Sequence, residues 1–228
     1  MDPLVAHQRA QDAFSSVLSS VGDEQLESPT PCSEWRVRDL VTHVIAGNQR
    51  VATGAASSPP PHETVADLVA QHAASAADAH AAFAAPGGLT RSFELPFATV
   101  PGSTMLGMRT TDVLTHAWDL AKATGQPTER IDQELAAELL DASRARVGAA
   151  MRGPGKPFAD EQPCGSDASP VDRLAAFLGR AVQRAGPLRG ARDARASPFR
   201  DVPRSRRRWR LPRETRRLSP SFPPPRRR

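Results

Sequence analysis

At 228 residues the chain has room for one ordinary domain with a buried core, or one domain and a tail. Two cysteines, Cys32 and Cys164, exclude a disulfide framework. The apolar runs fall short of the roughly 18 residues a membrane-spanning helix needs, so no membrane partner is expected. A net charge of +5 suggests nucleic acid, but the distribution of charge divides the chain. Residues 181–228 hold 16 Arg against three acids, Asp193, Asp201 and Glu214, whereas residues 1–180 hold 14 basic and 22 acidic side chains. The body is acidic and the tail is basic. The start, Met1-Asp2-Pro3-Leu4, has an acid at position two and no apolar run behind it, so a cytoplasmic protein is expected.

Apolar periodicity predicts a first helix over 4–21, with Phe14, Val17, Leu18 and Val21 at three- and four-residue steps. Ser28 to Ser33 is turn chemistry, with Ser33 as a plausible N-cap. A second helix runs from Arg36 to about Gly54, with Val37, Leu40, Val41, Val44, Ile45 and Val51 as its stripe; Pro59-Pro60-Pro61 cannot continue it. An Ala-rich third helix covers 64–84 and stops at Pro86-Gly87-Gly88. Alternating Phe93, Leu95 and Phe97 predict a short extended segment near 90–98. A fourth helix covers 103–124, a fifth 131 to about 151, and a short one 170–179. The class is therefore all-α: an up-down four-helix bundle with accessory helices over 4–180. Residues 181–228 read as a basic, low-complexity tail, which cannot bury enough apolar surface to offset its ordering entropy and is expected to be disordered.

Two histidines carry the chemistry. His43 lies on the second helix, just beyond the edge of its apolar stripe. His116 lies on the fourth, with Asp112 four residues before it and Asp119 three after, all on one line of the helix surface. If these two helices are neighbours, His43, Asp112 and His116 converge. Two imidazoles and a carboxylate suit zinc with an open fourth position, and equally suit nickel, manganese or iron. The competing reading is a solvated Asp–His pair on an exposed face.

The run Thr30-Pro31-Cys32-Ser33-Glu34-Trp35-Arg36-Val37-Arg38-Asp39-Leu40-Val41-Thr42-His43-Val44 resembles a signature of actinobacterial metal-binding proteins. These are related to the N-terminal domain of mycothiol-dependent maleylpyruvate isomerase, in the DinB-like superfamily. Asp112-Val113-Leu114-Thr115-His116-Ala117-Trp118-Asp119-Leu120-Ala121, followed by Gly125-Gln126, resembles the second signature. The resemblance covers roughly residues 4–180. It implies a DinB-like bundle with a divalent metal held by His43, Asp112 and His116, and mycothiol as a small-molecule thiol partner for an electrophile. An isomerase or transferase follows from that. The isomerase has a further C-terminal domain, which a short helix near 171–180 and an Arg-rich tail replace here. A metal-binding module without catalysis is the alternative. Nonspecific nucleic-acid binding through Arg206-Arg207-Arg208-Trp209-Arg210 is another.

The remaining candidates read as structural. His7 falls in the first helix's stripe and is expected to be buried and hydrogen-bonded. His72 and His80, without an acid at ligand spacing, are expected at exposed or boundary positions. Cys32 reads as part of a packed turn, Trp35 and Trp118 as core anchors. Asp119 reads as solvated or capping, with the orienting of a ligand as its other role.

Overall fold

A computed structural model describes residues 1–32, 35–54, 64–95, 98–153 and 158–182. Ser33, Pro59 to Pro61, Phe97 and the whole basic tail beyond 182 lie outside the described residues. Six helices and one hairpin make up the rest: α1 (Pro3–Leu18), α2 (Val37–Thr53), α3 (Val65–Ala84), β1 (Ser92–Leu95), β2 (Ala98–Pro101), α4 (Gly102–Thr124), α5 (Gln133–Arg146) and α6 (Pro170–Phe177). None is long and apolar enough to cross a membrane.

Local chemistry sets the ends. Asp2 accepts from the Leu4 and Val5 amides ahead of Pro3, which opens α1 without an amide to satisfy. At α2 the first-turn Asp39 accepts from the Arg36 backbone N–H at 2.9 Å, so the helix begins at Val37 with Arg36 in the cap position. Gly54, at φ 76°, closes it. Thr64 and Asp67 cap α3 reciprocally, and Asp132 and Ser169 cap α5 and α6. Gly102 opens α4 where a Cβ would overlap the Gly88 carbonyl, and Gly125 ends it at φ 70°. The fifth helix is shorter than its periodicity predicts. It stops at Arg146, and a separate turn covers Ala149–Met151. The extended segment is an antiparallel hairpin, with Phe93 opposite Val100.

The four long helices form the bundle. α1 packs against α4 and α3, and α2 packs against α3 and α4. Directions follow from which residues meet. Asn48 meets Ser75, and Val51 shares a cluster with Ala79 and Phe83, so α2 and α3 run the same way. Arg109 meets Asn48 while Asp112 meets His43, so α4 runs against α2. Phe14 meets His72 while His7 meets Phe83, so α1 runs against α3. The order of directions is thus up-down-down-up, and the α2–α4 neighbourhood required for a convergent site is present.

The main core gathers Phe14, Leu18, Leu40, Ile45, Leu114 and Trp118 between the four helices. A second cluster of Val51, Phe83, Phe93, Met105 and Leu106 lies under the hairpin. α5 and α6 pack on each other, and Trp118 Nε1 donates to Asp172 Oδ1 at 2.7 Å, tying α6 to α4.

Candidate metal centre

His43 leaves α2 with its side chain 39% exposed, nearly two turns inside the N-terminus, and faces α4. Its Nε2 lies 3.5 Å from Asp112 Oδ2, and His116 Nε2 lies 3.4 Å from Asp112 Oδ1. The two imidazoles meet edge to face, centroids 5.0 Å apart. One donor atom from each of His43, Asp112 and His116 falls within 4.8 Å of the other two. All three residues predicted from the sequence are therefore brought together. The solvated-pair reading does not describe His116, which is 4% exposed.

The surroundings orient these groups. Asp119 is fully buried, and its Oδ2 lies 2.9 Å from His116 Nδ1. This corrects the expectation that Asp119 is solvated. Seven residues return Asp119 to nearly the same line of α4 as Asp112, and it is buried because Cys32 and Arg180, which follows α6, cover that end of the line. With Nδ1 held by Asp119, the His116 ring turns its Nε2 toward Asp112 and His43. Arg180 donates to the same carboxylate from Nη2 at 3.0 Å and from Nε at 3.3 Å, and the Cys32 thiol donates at 3.4 Å. Cys32 thus belongs to the rim of the site as well as to its turn. Trp35 is half-buried and lies over both imidazoles, centroids 4.7 Å from His43 and 5.7 Å from His116. It shields the site, whereas Trp118 is the core anchor, 1% exposed.

Arg109 is a functional residue the sequence reading missed. It is buried, and its Nη1 donates to Asp112 Oδ2 at 2.6 Å. Nη2 donates to the Val44 carbonyl at 3.1 Å and to Asn48 Oδ1 at 3.0 Å. Gly47 makes room for it, since a Cβ there would overlap the guanidinium. The available signal was the pairing of Arg109 with Asp112 at a three-residue step, opposite a glycine in the middle of α2.

Electrostatics follow from these contacts. Burial opposes the charged form of His116, but Asp112, with hydrogen bonds to Asp112, Asp119 and Cys32, holds it well above the ordinary histidine value. Burial likewise opposes the Asp112 carboxylate, but His116 and Arg109 hold it well below the usual carboxylate range. Asp119 is lowered against burial by His116 and Arg180.

Farther into the bundle lies a second polar cluster. Gln11 Nε2 donates to Asn48 Oδ1 at 2.9 Å and lies 3.2 Å from His7 Nε2. Gln11 Oε1 accepts from Asn48 Nδ2 at 3.2 Å and is 3.0 Å from His72 Nε2. Asn48 Nδ2 also reaches Ser75 Oγ at 3.3 Å. The predicted burial of His7 is what the structure has. His72 corrects its expectation: it is 1% exposed, because α3 presents it between α1 and α2. His80 is half-buried, at a boundary position.

Helices alone are common to many functions, whereas two signatures meeting on neighbouring helices define a class. Residues 7–121 match the mycothiol maleylpyruvate isomerase N-terminal domain. The chain belongs to that family. An uncharacterized protein of Mycobacterium tuberculosis strain H37Rv is 59% identical over 183 residues, which is 80% of this chain and 100% of the relative. Its counterpart in strain CDC 1551 matches to the same extent. Among solved structures, the mycothiol-dependent maleylpyruvate isomerase aligns at 20% identity and TM-score 0.45, over 62% of this chain and 68% of that one. A histidine-to-alanine mutant of that enzyme aligns at 19% identity and TM-score 0.43, over 64% and 72%.

Proposed function

We propose that this protein holds a divalent metal ion through His43, Asp112 and His116 and acts as a metal- and mycothiol-dependent isomerase or transferase on a small electrophile. The observation that carries this reading is the convergence of His43, Asp112 and His116 from α2 and α4, with Nε2 of His116 turned inward by the contact of Nδ1 with Asp119. The donor set fits such an ion. Arg109 engages Asp112 Oδ2, and Oδ1 faces His116 Nε2. A divalent cation held there, zinc among those this donor set suits, would supply Lewis acidity that stabilises a thiol as its anion at neutral pH. The other residues position and protect. Asp119 holds the His116 ring by Nδ1, Arg109 fixes the Asp112 rotamer, and Trp35 covers one side of the two imidazoles. Mycothiol as the thiol, and a small electrophile as its partner, are supported by the family the chain belongs to.

The same proposal takes residues 4–180 as the working domain and 181–228 as a separate basic tail. The mycobacterial relative is matched in full by 183 residues of this chain, a length that accommodates such a domain without the tail.

Metal analysis of the purified chain should find about one divalent ion, as three convergent protein ligands imply. His116→Ala should lose most of it, and Asp112→Asn should weaken it by removing the charge that offsets the cation. Protein that stays empty after incubation with zinc, nickel, manganese and iron overturns the reading. Full metal occupancy with no turnover of electrophiles in the presence of mycothiol would leave a metal-binding module without catalysis.

A further inference from the structure

The candidate centre opens onto a cavity of about 680 Å³ whose walls the sequence did not reveal. One face of α4 forms its floor: Thr104, Met108, Thr111, Asp112 and Thr115 recur at three- and four-residue steps. The hairpin, the end of α5, Met151, Phe158 and the residues after α6 enclose it. Much of the surface is apolar, contributed by Val100, Met105, Met108, Met151 and Phe158. Met108 is 39% exposed, a large apolar side chain left open to solvent at this cavity. Three methionines give a wall that adapts to a flexible apolar guest.

The charged residues on the wall have one sign, apart from a single acid. Arg50, Arg109, Arg146 and Arg180 line the cavity, and Asp112 is the acid. Two of the cations are already matched: Arg109 by Asp112, and Arg180 by Asp119. The other two are not. Arg50 donates to the Glu94 carbonyl and Arg146 to the Ala142 carbonyl, and neither forms an ion pair among the described residues. Arg146 lies against the floor at Gly107, where a Cβ would sit 3.2 Å from its Nη1. An apolar cavity of this size, with unmatched guanidinium groups on its wall, is complementary to a molecule with an apolar body and an anionic end.

We propose that this cavity binds an amphipathic acid, an organic anion with an extended apolar body, whose anionic group is recognised by Arg146 with Arg50. This substrate class rests on the reading of the neighbouring cluster as a reaction site, but binding in the cavity does not require the metal. A short, polar dicarboxylate leaves the apolar wall uncovered. An apolar cation meets two unmatched guanidinium groups of its own sign, and the one acid, Asp112, is already paired with Arg109.

The test uses the full chain after chelator treatment, titrated calorimetrically with hexanoate, octanoate, decanoate, maleate and decylammonium. Affinity should rise roughly three- to fourfold per added methylene from hexanoate to decanoate, the increment expected for a buried CH₂. Maleate and decylammonium should each bind at least about tenfold more weakly than decanoate, lacking one of the two complementary features. Arg146→Gln should weaken decanoate by about tenfold and leave the neutral probe decanol unchanged, because it removes a charge-assisted contact and little apolar surface. Equal binding of decanoate and decylammonium, or maleate binding as tightly as decanoate, would overturn the proposal. So would an Arg146→Gln protein that binds both probes as the parent does. The two readings fail separately. A His116→Ala protein that loses metal yet binds decanoate normally supports the cavity, whereas a metal-loaded parent that binds none of the acids refutes the cavity alone.

Discussion

His116 and His72 are buried alike, at 4% and 1% exposed, and their acidities move in opposite directions. His72 and its neighbour His7 are both pushed down to about 4, by burial first and then by the positive charge of Arg109. His116 is raised because Asp112 outweighs its burial, with help from its hydrogen bonds to Asp112, Asp119 and Cys32. Arg109 stands between the two regions. Nη1 closes the charged cluster on Asp112, and Nη2 ends the neutral network on Asn48. Burial does not by itself assign a histidine its role. The carboxylate beside it decides whether the ring is kept as a charged group or as a neutral hydrogen-bond partner.

Acid should break this comparison first and most strongly. His7 and His72 are neutral in the fold down to about pH 4, whereas the unfolded chain protonates them near 6.5. Between those values the unfolded state binds more protons, so stability falls as pH falls. The loss is on the order of 3 kcal/mol for each ring, as an upper bound. His116 works with the opposite sign. Its contribution is complete below the ordinary histidine value and is lost as pH rises through its raised pKa. Denaturant titrations of chelator-treated protein from pH 7 to 4 should show the decline, and His72→Gln should flatten it. A flat profile for the parent would mean that both rings are already protonated in the fold.

The second test removes the carboxylate that sets the two regions apart. Asp112→Ala leaves the buried Arg109 cation without its ion-pair partner. Breaking a buried pair from one side costs about 3–5 kcal/mol. The Asp112 side chain is 34% exposed, so the lower end applies. Urea unfolding without metal should register that loss, and His116 should titrate nearer the ordinary histidine value. No change in stability would show that Val44 and Asn48 suffice to hold Arg109.

Gly47→Ala gives a smaller and more selective effect. Alanine favours the helix over glycine by about 1 kcal/mol. The new Cβ, however, occupies the place of the Arg109 guanidinium and releases Asp112 Oδ2. Metal affinity should fall by roughly 10–100-fold, the usual cost of disturbing a group that orients a ligand, while the helix gain offsets only part of the roughly 3 kcal/mol that displacing Arg109 from its partner costs. Unchanged affinity would show that Asp112 needs no support from Arg109.

The sequence carried the bundle because Leu40, Val44, Ile45 and Val51 on α2, like Phe14 and Leu18 on α1, keep the helical period that burial requires. It carried the residues that converge, His43, Asp112 and His116, because two short signatures place them on facing sides of α2 and α4. It did not carry the parallel course of α2 and α3, since apolar periodicity has no direction. It did not carry the cavity either, whose wall is completed by Met151, Phe158 and Leu178, far from both signatures. Gln11 and Asn48 were legible in principle. Each is a polar residue at a three- or four-residue step from apolar neighbours on a buried stripe, and that pattern calls for a partner across the bundle.

The smallest expected effect decides whether the two regions are coupled at all. His72 reaches Asp112 only through Gln11, Asn48 and Arg109. His72→Ala removes one of the hydrogen bonds that the Gln11 carbonyl accepts, while Asn48 Nδ2 still occupies that oxygen. Arg109 keeps Asp112 and the Val44 carbonyl whatever happens to Asn48. The substitution should therefore destabilise the fold by a few kcal/mol, as a large-to-small change in a packed interior does, and leave metal affinity within about threefold of the parent. Isothermal titration with zinc, performed where the variant remains folded, separates the two outcomes. A loss of affinity comparable to that of Gly47→Ala would mean that the neutral network acts through Arg109 to set the Asp112 rotamer. The charged cluster and the buried histidines would then be one site rather than two neighbours.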